Sequence, residues 1–296
     1  MRSAAQQSRA IDHLVLPVTD IATARKRLSI LGFTVAADAR HPFGTENACV
    51  FFADKTYLEP LGIASLSDCV AAARDGNVFV ARDQMFRSHR GQDGFSGIAV
   101  ASDDAPSDHK RFVDAGLSAG EMLQFSRPMT MPDGASSVAG FALAFAADAG
   151  APDLLLFAVQ RINPLPADRG SLEQHANGVT GISELLLSAE HPKPFGRFFQ
   201  TVFGADDIDT GDDGLSLEAT NARIIIRQPH ALAALLGEVS PDGDNGLLAR
   251  AIVFKVSDLS VTAAALAANG IATVRNEHHI LVSEAPGQGA VFLFEE

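Results

Sequence analysis

The chain has 296 residues, 47% of them hydrophobic, and a formal net charge of -13, which suggests about two domains with ordinary cores. The acidity, with no cluster of Lys and Arg, argues against non-specific binding to nucleic acid or anionic membrane, since both need phosphate neutralisation. No apolar run reaches the about 20 residues needed to cross a bilayer, and the N-terminal MRSAAQQSRA is followed by no secretion-signal core; with only Cys49 and Cys69 and no CxxC pair, a cytoplasmic protein with reduced, buried thiols is expected.

In chain order, IDHLVLPV (residues 11–18) is a β-rich run. Asp20 follows as a helix cap, because its carboxylate can accept an early unpaired N–H. Ile21, Ala24, Leu28 and Leu31 then fall on one helical face, and Gly32 ends that helix by tolerating the left-handed conformation. FTVAADAR, ACVFFAD and TYLEPLGI read as three strands, the last two joined by a turn at Asp54–Lys55. The order is β, α, β, β, β.

That order recurs. FSGIAVAS is a strand, a helix ends at Gly116, and LSAGEMLQF, SVAGFALAFAA and DLLLFAVQ follow. VTGISELLLSA precedes a helix ending at Gly204, then GLSLEAT and NARIIIRQ. RAIVFKVSD precedes a helix ending at Gly270, then IATVRN, HILVSEA and GAVFLFEE. Asp20 to Gly32, Asp104 to Gly116 and Asp258 to Gly270 share one spacing, so four modules are expected. Two insertions with helical patterns interrupt them, at 64–93 and at HALAALLGEVSPDGDN. The Pro-rich polar stretch 162–177 reads as a linker. The expected organisation is therefore an α+β chain, with modules one and two in residues 1–161 and modules three and four in residues 178–296.

Two such modules side by side form a curved sheet around a cleft. Strand residues alternate between faces, so His13, Val15 and Pro17 point into the cleft while Leu14, Leu16 and Val18 point to the helix. No P-loop, GxGxxG after a strand, GxSxG elbow or HExxH is present. The acidic run DDIDTGDDG lacks EF-hand spacing and reads as a solvated loop.

IDHLVLPVTD, LGF, RHPFGTENACVFF and TYLEP resemble the first module of the glyoxalase-like (vicinal oxygen chelate) superfamily. The resemblance covers nearly the whole chain in module order and is specific over 10–62. It implies paired-module domains of the glyoxalase/bleomycin-resistance/dioxygenase type. It also implies a first-strand His and a last-strand Glu holding one divalent metal (Zn, Fe, Ni or Mn), which match His13 and Glu59. The other modules depart from this pattern. Ser96 or Gly97 and Phe157 stand at the matching places in the second, Glu184 and Arg227 in the third, and Ala251 and Glu295 in the fourth. A two-residue site needs waters, substrate or other side chains to complete the shell. Without metal, Glu59 can act as general base while His13 orients it or polarises a carbonyl; alternatively the pair is a hydrogen-bonded core feature. In the HPFGTEN stretch, His41, Thr45 and Asn47 are candidate ligand contacts on a loop freed by Gly44, or form a self-stabilised turn. Arg40 is a candidate carboxylate binder or a solvated charge. The expected function is a small-molecule lyase, isomerase or dioxygenase acting in the first-domain cleft. The alternative is a non-catalytic protein that binds or sequesters a small molecule. A homodimer formed through the second half is a further expectation.

Overall fold

The computed structural model describes residues 8–130, 136–163, 169–237, 246–276 and 278–296. The elements are β1 (Ile11–Pro17), α1 (Ile21–Ile30), β2 (Ala39–Arg40), β3 (Thr45–Asn47), β4 (Val50–Phe51), β5 (Tyr57–Ile63), α2 (Leu66–Arg74), α3 (Val78–Arg90), β6 (Gly97–Ser102), α4 (Ala105–Asp114), β7 (Leu123–Thr130), β8 (Ser136–Ala146) and β9 (Leu155–Arg161). The chain continues as β10 (Val179–Ser188), α5 (Gly196–Phe203), β11 (Asp209–Thr210), β12 (Gly214–Glu218), β13 (Arg223–Arg227), α6 (Pro229–Leu236), β14 (Leu248–Val256), α7 (Leu259–Ala268), β15 (Val274–Arg275), β16 (Ile280–Val282) and β17 (Val291–Glu295). Strands β1 to β9 form one sheet and β10 to β17 a second. Modules one and two thus share a curled sheet, as do three and four.

The helix signals act as read. Asp20, Asp104 and Asp258 each accept a backbone N–H from the first turn of α1, α4 and α7. FTVAADAR departs from expectation: only Ala39–Arg40 is strand, while part of the HPFGTEN loop becomes β3. Pairing with β5 decides this, since Thr45 lies opposite Ile63 and Asn47 opposite Leu61.

Within each pair, modules meet at antiparallel strands, β1 with β6 and β10 with β14. Leu14 lies opposite Ile98 at the first junction. The parallel pair Val15–Glu59 has its counterpart in Ala99–Phe157. Gly97 therefore takes the place of His13 in module two, and Phe157 that of Glu59. In the second sheet Leu186 lies opposite Ile225 and Val253 opposite Leu293. The counterparts of Glu59 there are Ile225 and Leu293, rather than Arg227 and Glu295 as the sequence alignment placed them. Both of those residues sit one step further along the same face.

The helix-bearing sides of the two sheets share one apolar core. Phe33 and Phe52 from the first half meet Phe254 from the second at ring-centroid distances of 5.4 and 5.6 Å. Such offset and edge contacts add to area burial. Polar ties reinforce the join: Asn221 brackets Ile11 through its N–H and C=O at 2.8 and 2.9 Å.

The insertions have a structural task. Val78, Phe79 and Val80 of α3 and Cys69 of α2 pack against Val15, Leu61 and Phe157 on the concave face of the first sheet. Arg87 anchors α3 to the sheet by donating to the carbonyls of Val18 and Leu61 at 3.0 and 2.8 Å, and to Asp83 at 2.8 Å. Helix α6 does the same in the second sheet, where Leu232 packs on Leu186, Val253 and Leu293. The insertion fills only part of the first groove. The remainder is a cavity of about 350 Å³.

Candidate active site

The cavity opens on strands β1, β3, β5, β7, β8 and β9, and His13, His41, Asn47 and Glu59 line it. His13 Nε2 lies 3.3 Å from Glu59 Oε2, so the imidazole and carboxylate converge on one side of the sheet. Both are almost fully buried. The His13 ring stacks on Tyr57 at 4.5 Å and meets the edge of Phe157 at 5.4 Å.

Asp12 completes this group. Its Oδ1 lies 2.7 Å from His13 Nδ1, and Arg161 donates to its two oxygens at 2.5 and 2.9 Å. Strict alternation would send Asp12 to the opposite face. The β1–β6 register shifts between Ile11 and His13, and this bulge lets the extra residue reach His13 and Arg161 behind the cavity wall. The same shift occurs between Ile182 and Glu184 in β10, which supports the match of Glu184 to His13.

Glu59 is held from the other side by the HPFGTEN segment. Asn47 Nδ2 donates to Glu59 Oε1 at 2.5 Å, and His41 Nε2 lies 3.6 Å from the same oxygen. His41 Nδ1 is 2.9 Å from Thr45 Oγ1. A neutral ring accepting the Thr45 proton at Nδ1 and presenting Nε2–H to Glu59 satisfies both neighbours. Thr45 is fully buried and supports His41 from behind the cavity wall. The turn needs Gly44, whose φ is +94°; a Cβ there would lie 2.7 Å from backbone atoms of Cys69 and Ser65. Arg40 is placed elsewhere. Its side chain is 78% exposed, 3.6 Å from Glu46, and forms no part of the cavity wall.

Charge in the cavity is ordered by burial and pairing. Burial alone would raise Glu59, but the hydrogen bond and charge of His13, with His41 and Asn47, hold it at about 2. Burial opposes ionisation of Asp12 likewise, and His13 and Arg161 bring it to about 2. Burial disfavours an imidazolium at His13, yet the two flanking carboxylates outweigh it and raise its pKa. His41 is pushed down to about 4, chiefly by burial. The flanking carboxylates thus favour the protonated form of His13, while burial favours the neutral form of His41.

These shifts set a pH response. His41 titrates below its ordinary 6.5, so its contribution to stability is complete above pH 6.5 and is lost as pH falls toward 4. Asp12 and Glu59 contribute above their ordinary 3.8 and 4.5 and lose that contribution as pH falls toward 2. His13 has the opposite sign: its contribution is present below 6.5 and drains as pH climbs through its raised value. The melting temperature is expected to fall between pH 6.5 and 4, and His41→Asn should reduce that fall, with His175, also lowered by burial, supplying part of the remainder. A wild-type profile that is level over this range would contradict the assignment.

A divalent metal, which the family resemblance implies, does not fit these residues. Among the described residues no group of three or more His, Cys, Asp or Glu is placed to hold one. Gly97 and Phe157 stand where a paired module would supply donors. Both ring nitrogens of His13 already face carboxylates, Nδ1 on Asp12 and Nε2 on Glu59, and Glu59 is also engaged by Asn47.

Sequence reasoning missed the cationic part of the wall. Arg127, Arg161 and Arg169 all line the cavity. Arg127 follows Phe125 by two residues on β7, so alternation could have placed it on the cleft side. Arg169 had no such signal. It comes from the connection between the two halves, where it stacks over Phe51 at 3.9 Å from the ring centroid. Phe43, Phe79, Phe125 and Phe141 supply much of the apolar wall.

A family model described as a glyoxalase-like domain matches residues 11–203. A search of curated proteins gives no match. Among solved structures, a hypothetical protein from Staphylococcus aureus is similar, with 12% identity, a TM-score of 0.65 and coverage of 97% of this chain and 98% of that one. A mutant of 4-hydroxymandelate synthase from Streptomyces coelicolor has 16% identity and a TM-score of 0.61, covering 98% and 92%. An Mn(II)-bound glyoxalase from Novosphingobium aromaticivorans has 12% identity and a TM-score of 0.57, covering 97% and 82%. At these identities the likeness establishes the fold alone.

Proposed function

Since the chain belongs to the glyoxalase-like domain family, we propose that it is a small-molecule enzyme of the lyase or isomerase type, transferring a proton next to a carbonyl in the cavity of the first sheet. The observation that carries this reading is the buried His13–Glu59 pair at 3.3 Å on the wall of an otherwise apolar cavity. His13 carries the proton and can direct it at a carbonyl oxygen, stabilising the negative charge that grows there. As that proton turns to substrate, Glu59 loses the neighbour that keeps it near 2 and becomes basic enough to accept the proton from the adjacent carbon. Asp12 and Asn47 are positioning residues, one fixing the His13 ring and the other the Glu59 carboxylate. His41, Thr45 and Asn47 remain assigned to ligand contact or its support. We assign no step to a metal, because the donor set does not fit one.

The test is deuterium incorporation from heavy water into a series of aryl ketones and aryl α-hydroxyketones, followed by NMR. Exchange above buffer that persists after exhaustive chelation is the expected result. Buffer-level exchange across the whole series would overturn the enzymatic reading. Ligand capture without turnover is the second reading, favoured by the phenylalanine-rich wall. Binding of these ketones without any exchange would support it.

A further inference from the structure

Two guanidinium groups in this cavity have unused donors. Nη1 of Arg127 and Nη1 of Arg169 are both buried and without a hydrogen-bond partner. Leaving a buried charged donor unsatisfied is costly, so such atoms in a cavity wall point to an acceptor that arrives from outside. The cavity has none to spare. Asp12 is occupied by Arg161 and His13, and Glu59 by His13 and Asn47. Three guanidinium groups, of Arg127, Arg161 and Arg169, stand against the two carboxylates of Asp12 and Glu59. This excess of positive charge sits inside a chain of net charge -13.

The geometry of Arg169 sharpens the point. Its guanidinium lies over the Phe51 ring at 3.9 Å, which uses the flat face and leaves Nη1 without a partner. Burial lowers its pKa, and an anion would offset that penalty. Arg127 stands on β7, whose Phe125 joins Phe43 and Phe141 in a run of ring contacts at 5.2 and 5.1 Å. Cationic edges and an aromatic wall therefore belong to one cavity of about 350 Å³, room for a compact molecule with one charged end.

We propose that the cavity takes a small carboxylate with an aromatic or bulky apolar body, its carboxylate held by Arg127 and Arg169 and its body packed on the phenylalanines. This rests on the reading of the cavity as a substrate site and names the substrate class. A guanidinium edge matches a carboxylate with two parallel N–H donors, stronger than neutral hydrogen bonds. Arg161 is not part of this subsite, because Asp12 holds it.

Isothermal titration of the full chain at low salt tests this with two isosteric probes, 3-phenylpropanoate and 3-phenylpropanamide. The carboxylate should bind about tenfold or more tightly than the amide. Arg127→Gln and Arg169→Gln should each remove about that factor for the carboxylate while leaving amide affinity within about twofold. Arg127→Lys and Arg169→Lys keep the charge and should retain part of the preference. The probe comparison in the unaltered protein decides the matter even where a variant fails to fold. Equal affinity for both probes would overturn the carboxylate subsite while leaving the cavity as a ligand site. Binding of neither would overturn the substrate-site reading as well.

Discussion

Replacing Glu59 by glutamine is expected to slow catalysed deuterium exchange by about 10²–10⁴-fold, the usual worth of a positioned general base. Glutamine has the shape of the native side chain and can still accept from Asn47, so the wall and the fold should survive. It cannot take up a proton, and it removes one of the two charges that keep His13 protonated. The loss should therefore fall on kcat with little change in KM, since the carboxylate acts only as the carbon–hydrogen bond breaks. His13→Gln should show a similar loss for a different reason, the missing proton donor at the carbonyl oxygen. Initial exchange rates by NMR on purified variants measure both. A Glu59→Gln rate within about tenfold of wild type would remove the base assignment.

The second large effect is on stability. Asp12→Ala is expected to cost about 3–5 kcal/mol, because removing one partner of a buried ion group leaves the others uncompensated. Two cations depend on this carboxylate, His13 on one side and Arg161 on the other, and Asp12 itself is 6% exposed. Asp12→Asn retains hydrogen-bonding atoms and should cost less. Adding Arg161→Ala to Asp12→Ala should recover part of the loss, because an unpaired guanidinium is then absent. Urea denaturation reads these differences as midpoint shifts at constant slope. The variant has a further signature: with one carboxylate gone, the raised pKa of His13 should fall, moving the alkaline limb of the exchange profile to lower pH. A destabilisation below about 1 kcal/mol would mean that water already solvates this group, against its burial.

Much of this was legible in residue order. Helix caps and glycine stops are local devices, so Asp20, Asp104 and Asp258 could be read without knowing what they pack against. Strand alternation placed His13 and Val15 toward a cleft, and TYLEP put Glu59 on the neighbouring strand. Local rules failed where a contact distant in sequence made the decision. Asp12 sits beside His13 and Arg161 because β6 pairs with β1 through a bulge. The segment after Phe33 is largely not strand, because β5 takes β3 as its partner instead. Arg40, read as a carboxylate binder or a solvated charge, lies exposed beside Glu46, and the guanidinium groups that line the cavity come from Arg127, Arg161 and Arg169.

From sequence alone came the repeated module, the α+β class, and the histidine and glutamate that face each other. These follow from short-range physics: periodicity, capping and turn chemistry act within a few residues. Tertiary structure alone decided that insertion helices fill part of the first groove, that one phenylalanine-rich core joins both sheets, and that Arg169 reaches the cavity from the connecting segment. It also decided the electrostatics of His13, since two carboxylates distant from each other in sequence converge on one ring and outweigh the burial that opposes its charge, and no reading of neighbours in sequence supplies that sum.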